Sequence, residues 1–169
     1  MEQLEKDKLY ISFHKPKSLV GLLISAWTLG KYSHCEFVYN DKCYLANVGG
    51  GVREQDFKLL ENVDLYELDK NISPRDILDF YKTYKGKAYD YKGILGSQFL
   101  WFLNVHDDEK FFCSEFCLNA IDYALQFTLT YKLKTLEKKG YYKFNPERLF
   151  KYLKEMELIK ERTRVITIE

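Results

Sequence analysis

A chain of 169 residues with 26 Lys and Arg against 25 Asp and Glu carries a formal charge of only +1. That balance supplies no broad field for nucleic acid or an anionic membrane, and the length suits one domain over residues 1–169 that needs no metal or cross-link to support its core. Aromatic residues make up 17%, with 14 Tyr and 12 Phe, which gives such a core ample contact area.

The opening MEQLEKDKLY is charged and lacks the apolar region of a secretion signal. KLYISFHK, Lys8 to Lys15, is rich in Ile, Tyr and Phe and stops at Pro16, which removes a backbone donor, so a strand is expected. SLVGLLISAWTLG starts on a Ser18 cap and closes on Gly30; it predicts a buried helix and is too short to span a bilayer. The expectation is a cytoplasmic chain without a transmembrane segment. Three strands follow, in SHCEFVY, KCYLANV and GVREQDF, and VDLYEL supplies a fourth. SPRDILDFYKTYKG, with Ser73 as cap, Pro74 at the first helical position and Gly86 at its close, predicts a helix. Lys87 to Lys110 mixes periodicities and reads as a loop holding a short helix. FFCSEFCLNAIDYALQF repeats apolar residues every three or four positions, a core helix with Cys113 near its first turn. NPERLFKYLKEMELIKE, with an Asn145 cap and Pro146 at the first position, predicts a further helix, and RVITIE a terminal strand. The expected fold class is α+β, helices packed on a mostly antiparallel sheet.

Side chains alternate across a strand, so His34, Glu36 and Val38 share one face and Cys35, Phe37 and Tyr39 the other. Asn40 and Asp41 make a good two-residue hairpin loop, which sets Asn47 opposite His34; a loop shifted by one sets it opposite Glu36, and a three-residue loop points it away. An amide or carboxylate beside an imidazole fixes its tautomer and orientation. Cys113 sits where a helix begins, and a thiol there becomes a useful nucleophile when a base or the positive helix end stabilises its thiolate. A strand histidine facing a helix-start cysteine is a hydrolase arrangement, and the backbone N–H groups of that first turn can stabilise an oxyanion. Tyr89, Tyr91 and Trp101 would line a cleft beside Cys113, with Asn47 and Glu115 as polar groups on the substrate side. Glu115 also complements the helix dipole.

The four cysteines, Cys35, Cys43, Cys113 and Cys117, form neither a dense disulfide framework nor paired C-x-x-C knuckles, so reduced thiols are expected. Cys117 lies one turn beyond Cys113 and could join it, His34 and Cys43 around a metal, but the tight knuckle spacing is missing, and neither metal nor cofactor is expected. Cys35 and Cys43 read as packing residues, and His14 and His106, lacking a polar neighbour pattern, as surface or core side chains. No Lys-Ser or Lys-Thr pair follows Gly49 to Gly51, so that run reads as a strand bend or bulge rather than a phosphate loop.

YSHCEFVY followed much later by FFCSEF resembles the circularly permuted branch of the papain-fold, NlpC-type cysteine hydrolases, in particular the YiiX-like amidases and similar bacteriophage proteins. In that branch the strand histidine precedes the helix cysteine, the reverse of papain. The resemblance runs on through GGGVRE, GKAYDYKGILG and NPERLFKYL, from Leu9 to Leu153. It implies a permuted papain-like fold with Cys113 as nucleophile at a helix N-terminus, His34 as base and Glu36 as polar partner in an SHxE form. Lecithin retinol acyltransferase-like enzymes share the permuted order and place the third polar residue on the next strand, where this chain has Asn47, preceded by Ala46. The implied activity is amidase or peptidase-like cleavage through a thioester on Cys113, without a cofactor, and the implied substrates are peptides, peptidoglycan-like fragments or lipid-linked amides. A bacteriophage source would add delivery by the particle or by lysis. Acyl transfer and lipid-ester hydrolysis use the same intermediate; outside enzymes, the alternative is a binding or structural module such as a virion protein.

Overall fold

The computed structural model describes residues 4–17, 22, 30–47, 49–88, 112–129 and 144–163. Its elements in chain order are β1 (Tyr10–His14), β2 (His34–Tyr39), β3 (Lys42–Asn47), β4 (Gly51–Asp56), β5 (Val63–Leu68), α1 (Pro74–Tyr84), α2 (Cys113–Ala124), α3 (Pro146–Glu155) and β6 (Ile159–Arg162). The strands form one sheet in the order β4-β3-β2-β1-β5-β6, with every neighbouring pair antiparallel. Among the described residues the architecture is therefore α+β, three helices with a six-stranded antiparallel sheet.

The central strands are buried on both faces. On one face Ile11, Phe13, Cys35, Phe37, Tyr44 and Ala46 join the helices in the main core. On the other, Tyr10, Val38, Cys43, Leu45 and Leu65 form a smaller cluster, with Leu4 and Phe57 packed against it. The β2–β3 connection is the two-residue turn that the Asn-Asp pair requires: Asn40 and Asp41 both take left-handed backbone, at φ 47° and 60°, and Tyr39 pairs with Lys42.

The run Gly49 to Gly51 is a hairpin turn rather than a bulge, since Asn47 pairs with Gly51 and the Gly50 N–H donates to the Asn47 carbonyl at 3.3 Å. Gly51, at φ +60°, opens β4 at a point of close backbone approach. There the Val52 N–H donates to the Lys87 carbonyl and the Gly86 N–H to the Val52 carbonyl, each at 2.9 Å, so the chain leaving α1 pairs back onto β4.

α1 begins with Pro74 behind an extended Ser73, whose side chain makes no capping hydrogen bond, and buries Ile77, Phe80 and Tyr81. α2 follows an extended Phe112, and its first six residues, Cys113 to Leu118, are all buried. Phe116 meets Phe37 at 6.1 Å and Phe80 at 5.8 Å between ring centroids, which seats the helix on β2 and against α1. α3 is capped by the Asn145 side chain, which accepts from the Arg148 N–H at 2.8 Å.

The C-terminal part departs from expectation. The apolar spacing of MELIKE suggests continued helix, yet the helix stops at Glu155, Glu157 adopts left-handed backbone at φ 56°, and Ile159 pairs with Leu68 as the start of β6. Burying Ile159 against the sheet outweighs its helical periodicity. RVITIE, the Ser18 to Gly30 helix apart from Leu22 and Gly30, and the loop from Tyr89 to Lys110 lie outside the described residues. Among the described residues no helix is long and apolar enough to cross a membrane.

One fully buried carboxylate ties the strand ends together. Asp64 on β5 binds Lys15 at 3.1 Å, Lys31 at 2.7 Å and Arg162 at 2.9 Å, and accepts the Tyr32 hydroxyl at 2.8 Å. Burial alone would raise its pKa, but Lys31, Tyr32 and Lys15 hold it at about 2.

The contact at Gly51 is testable. A Cβ there would stand 2.0 Å from the Lys87 carbonyl oxygen on a backbone that L side chains rarely adopt, so Gly51→Ala is expected to cost about 1–3 kcal/mol in urea denaturation. An unchanged midpoint and slope would show that the segment 86–88 does not depend on this approach.

Candidate active site

The site is assembled where β1 ends and β2 begins. Antiparallel pairing sets His14 opposite His34 and Ser12 opposite Glu36, and alternation turns all four to one face. Glu36, only 4% exposed, lies between the two imidazoles. Its Oε1 is 3.2 Å from His14 Nε2, and its Oε2 is 3.6 Å from His34 Nε2. A carboxylate only accepts, so His14 Nε2 carries the hydrogen and donates to Oε1. Ser12 Oγ lies 3.1 Å from the same nitrogen and donates to the Glu36 carbonyl at 3.4 Å. The two histidine rings meet edge to face, centroids 5.2 Å apart and planes at 75°.

Cys113, the first residue of α2, enters this group from the helix layer. Its thiol lies within interaction range of the His34 imidazole and of the Cys35 thiol, side chains from opposite faces of β2. That is possible because His34 is the first residue of its strand. Cys113 is 3% exposed, and the His34 side chain is 20% exposed. His34 Nε2 is itself buried and has no hydrogen-bond partner among the described residues. At 3.6 Å, Glu36 acts on it as a charge rather than as a hydrogen-bond acceptor.

Burial and pairing compete at each titrating group. At Glu36, burial pushes the pKa up, but the His14 hydrogen bond and then His34 overcome it and bring the carboxyl down to about 2. At His34, burial disfavours the imidazolium, while the Cys113 thiolate and then Glu36 favour it and move its pKa upward. Cys113 is pushed well above the usual thiol range by its contact with Cys35 and by burial, against a downward pull from His34. The thiol thus gives up its proton only as His34 takes it, and His34, backed by Glu36, holds it once transferred. Burial also raises the pKa of Cys117, one turn further along α2.

Of the other residues singled out from the sequence, Asn47 ends β3 and pairs with Gly51 on β4. The β2–β3 ladder has the register of the two-residue turn but stops at Phe37 and Tyr44, short of His34, and no hydrogen bond joins the His34 ring nitrogen Nε2 to Asn47. Glu115 is buried in the first turn of α2, 3% exposed, and its carbonyl accepts from the Asn119 side chain at 2.9 Å. Tyr89, Tyr91, Trp101 and His106 lie outside the described residues. Cys43 packs in the smaller cluster, while Cys35 touches Cys113 as well as packing in the main core.

Sequence reasoning passed over His14 and Ser12. The alternation in YISFH already puts them on one face, but only the pairing of β1 with β2 shows that this face carries Glu36. Among the described residues no group of three or more His, Cys, Asp or Glu is arranged to hold a metal ion. A cavity of about 990 Å3 opens along β5, β6 and α3, lined by Val63, Tyr66, Phe150 and Arg162 among others; it includes neither Cys113 nor His34. Compared with protein-family models, curated proteins and solved structures, the chain matches none.

The lowered pKa of Glu36 sets a stability window. Its contribution is fully present above the unfolded value of 4.5 and is lost as pH falls towards about 2, a loss of about 3 kcal/mol. Urea denaturation at stepped pH should show a correspondingly shallower acid decline in Glu36→Gln than in the parent chain. Parallel declines would mean that the carboxylate gains nothing from its two imidazoles.

Proposed function

We propose that the chain is a cysteine-dependent hydrolase that cleaves an amide-type bond, with Cys113 as nucleophile, His34 as base and Glu36 as the group that orients and charges His34. One observation carries this reading: the thiol at the start of α2 lies within interaction range of an imidazole whose Nε2 stands 3.6 Å from a buried carboxylate. Nucleophile, base and orienting group in that order are what thiol-based acyl transfer requires.

The steps follow from the atoms. His34 accepts the Cys113 proton on the ring nitrogen not turned to Glu36, and the thiolate adds to the substrate carbonyl. The oxygen that becomes negative lies near the start of a helix, where backbone N–H groups lack acceptors within the helix. Collapse of this intermediate expels the amine, which takes the proton from His34 and leaves a thioester on Cys113. Water, deprotonated by His34, then releases the acid and the free thiol. Glu36 stays ionised throughout, stabilising the imidazolium that forms twice in each cycle.

The order of strand histidine before helix cysteine, the HxE spacing and the α+β architecture support a permuted papain-like type for this hydrolase, and peptides, peptidoglycan-like fragments and lipid-linked amides are the substrates we propose for it. Small reagents suit a thiol that is 3% exposed. With p-nitrophenyl acetate the parent chain should acquire one acetyl group on the peptide bearing Cys113, and Cys113→Ala should fold yet acquire none there. Iodoacetamide should alkylate Cys113 at neutral pH at least about tenfold more slowly in His34→Ala, the loss expected on removing a general base. Equal rates in parent and variant would remove His34 from the role of base.

A further inference from the structure

We propose that His14 is a positioning residue of this site: it fixes one oxygen of Glu36 so that the other stays turned to His34. The inference rests on the hydrolase reading and goes beyond it, because a thiol–imidazole–carboxylate triad needs no second histidine.

Three observations support it. First, the carboxylate is divided between two rings, Oε1 at 3.2 Å from His14 Nε2 and Oε2 at 3.6 Å from His34 Nε2. A carboxylate turns about its last side-chain bond, and a hydrogen bond to one oxygen removes that freedom for both. Second, His14 is itself anchored. Its Nε2 lies 3.1 Å from Ser12 Oγ, Ser12 donates to the Glu36 carbonyl at 3.4 Å, and the two rings pack edge to face with centroids 5.2 Å apart. Third, His34 Nε2 is buried without a hydrogen-bond partner among the described residues, so its orientation relies on the charge of Glu36.

Among the described residues, the carboxylate on the other strand beside β1 is occupied elsewhere. Asp64, on the strand that pairs with β1 on its other side, is taken up by Lys15, Lys31 and Arg162. From β2 the groups facing His14 are Glu36 and His34, and from α2 Cys113 reaches His34. Glu36 is therefore the carboxylate that His14 serves.

The test reads thiol reactivity, needs no substrate and separates this proposal from the reading beneath it. Iodoacetamide alkylation of Cys113 is followed by mass spectrometry in the full chain at neutral pH, for the parent, His34→Ala, His14→Ala and His14→Gln. The expected pattern is slowing by about tenfold in His14→Ala, as a misplaced catalytic group would give. In His14→Gln, whose amide N–H can stand near the position of Nε2, at least half the parent rate should return. If His34→Ala reacts like the parent, the hydrolase reading fails; if His34→Ala is slow while His14→Ala reacts like the parent, the positioning role alone fails. Equal slowing in His14→Ala and His14→Gln also overturns it, since a purely space-filling ring predicts no rescue. Nitrogen NMR of the parent imidazoles covers the case in which His14→Ala does not fold. The proposal requires a protonated Nε2 on His14, and a bare Nε2 there overturns it.

Discussion

The pairing of β1 with β2 in one register decides where every described group of the candidate site sits, save Cys113. It sets His14 against His34 and Ser12 against Glu36, and a slip of one residue would send the β1 pair to the opposite face. No tight turn enforces this register, since residues 15–33 separate the two strands. Burial on both faces does: Ile11 and Phe13 are fully buried on one side and Tyr10 is 2% exposed on the other. Fully burying such a side chain is worth about 1.5–3 kcal/mol, whereas a hydrogen bond to a charged group nets about as much as one of them. The hydrophobic pattern therefore sets the register, and the polar cluster inherits its geometry.

Within that geometry the site is a balance between burial and charge. A carboxyl as buried as Glu36 would drift towards its neutral form if left alone, and two imidazoles reverse the direction. Cys113 is the opposite case. Burial and the Cys35 contact resist a thiolate, and only the histidine side favours it. In the proposed chemistry the thiol accordingly rests protonated and becomes a nucleophile as its proton moves to His34. Such a site depends on distance more than on a standing ion pair, because the proton moves only while the donor and acceptor stay within reach.

Much of the fold was legible because local chemistry wrote it. Asn40-Asp41 announced a two-residue turn and Pro74 and Pro146 the starts of two helices, and five of the six strands stand where short runs between turn signals suggested them. The pairing of distant elements was not legible. His14 read as an ordinary side chain because nothing local says that β1 neighbours β2, and Asn47 read as a partner for His34 because the hairpin register does not reveal where the ladder stops. The helical period of MELIKE concealed β6, since a four-residue edge strand with one buried side chain has no pattern of its own. That Cys113 meets His34 lies in the same class: each element was visible, and their meeting is a property of the packed core.

Strand ends fray in many proteins, because their last residues have few partners, yet here the ends of β1 and β2 carry the two histidines. What offsets this is Asp64. It holds Lys15, just past His14, and Lys31, just before the lead into His34, while Ser33 donates to the His14 carbonyl at 2.9 Å and Lys15 to the Asn62 carbonyl at 2.8 Å. The lysine ends are half-exposed, so each ion pair alone contributes little. The carboxylate they share is fully buried and also takes the Tyr32 hydroxyl, which links the clamp to the aromatic core of Phe13, Tyr66 and Phe150. The backbone of Lys31 adds a hydrogen bond to Glu147 of α3 at 2.8 Å. Both histidines thus stand on chain that is fixed on its outer side as well as within the sheet, and a separation that must hold to a few tenths of an ångström can persist at a place where a strand would otherwise loosen.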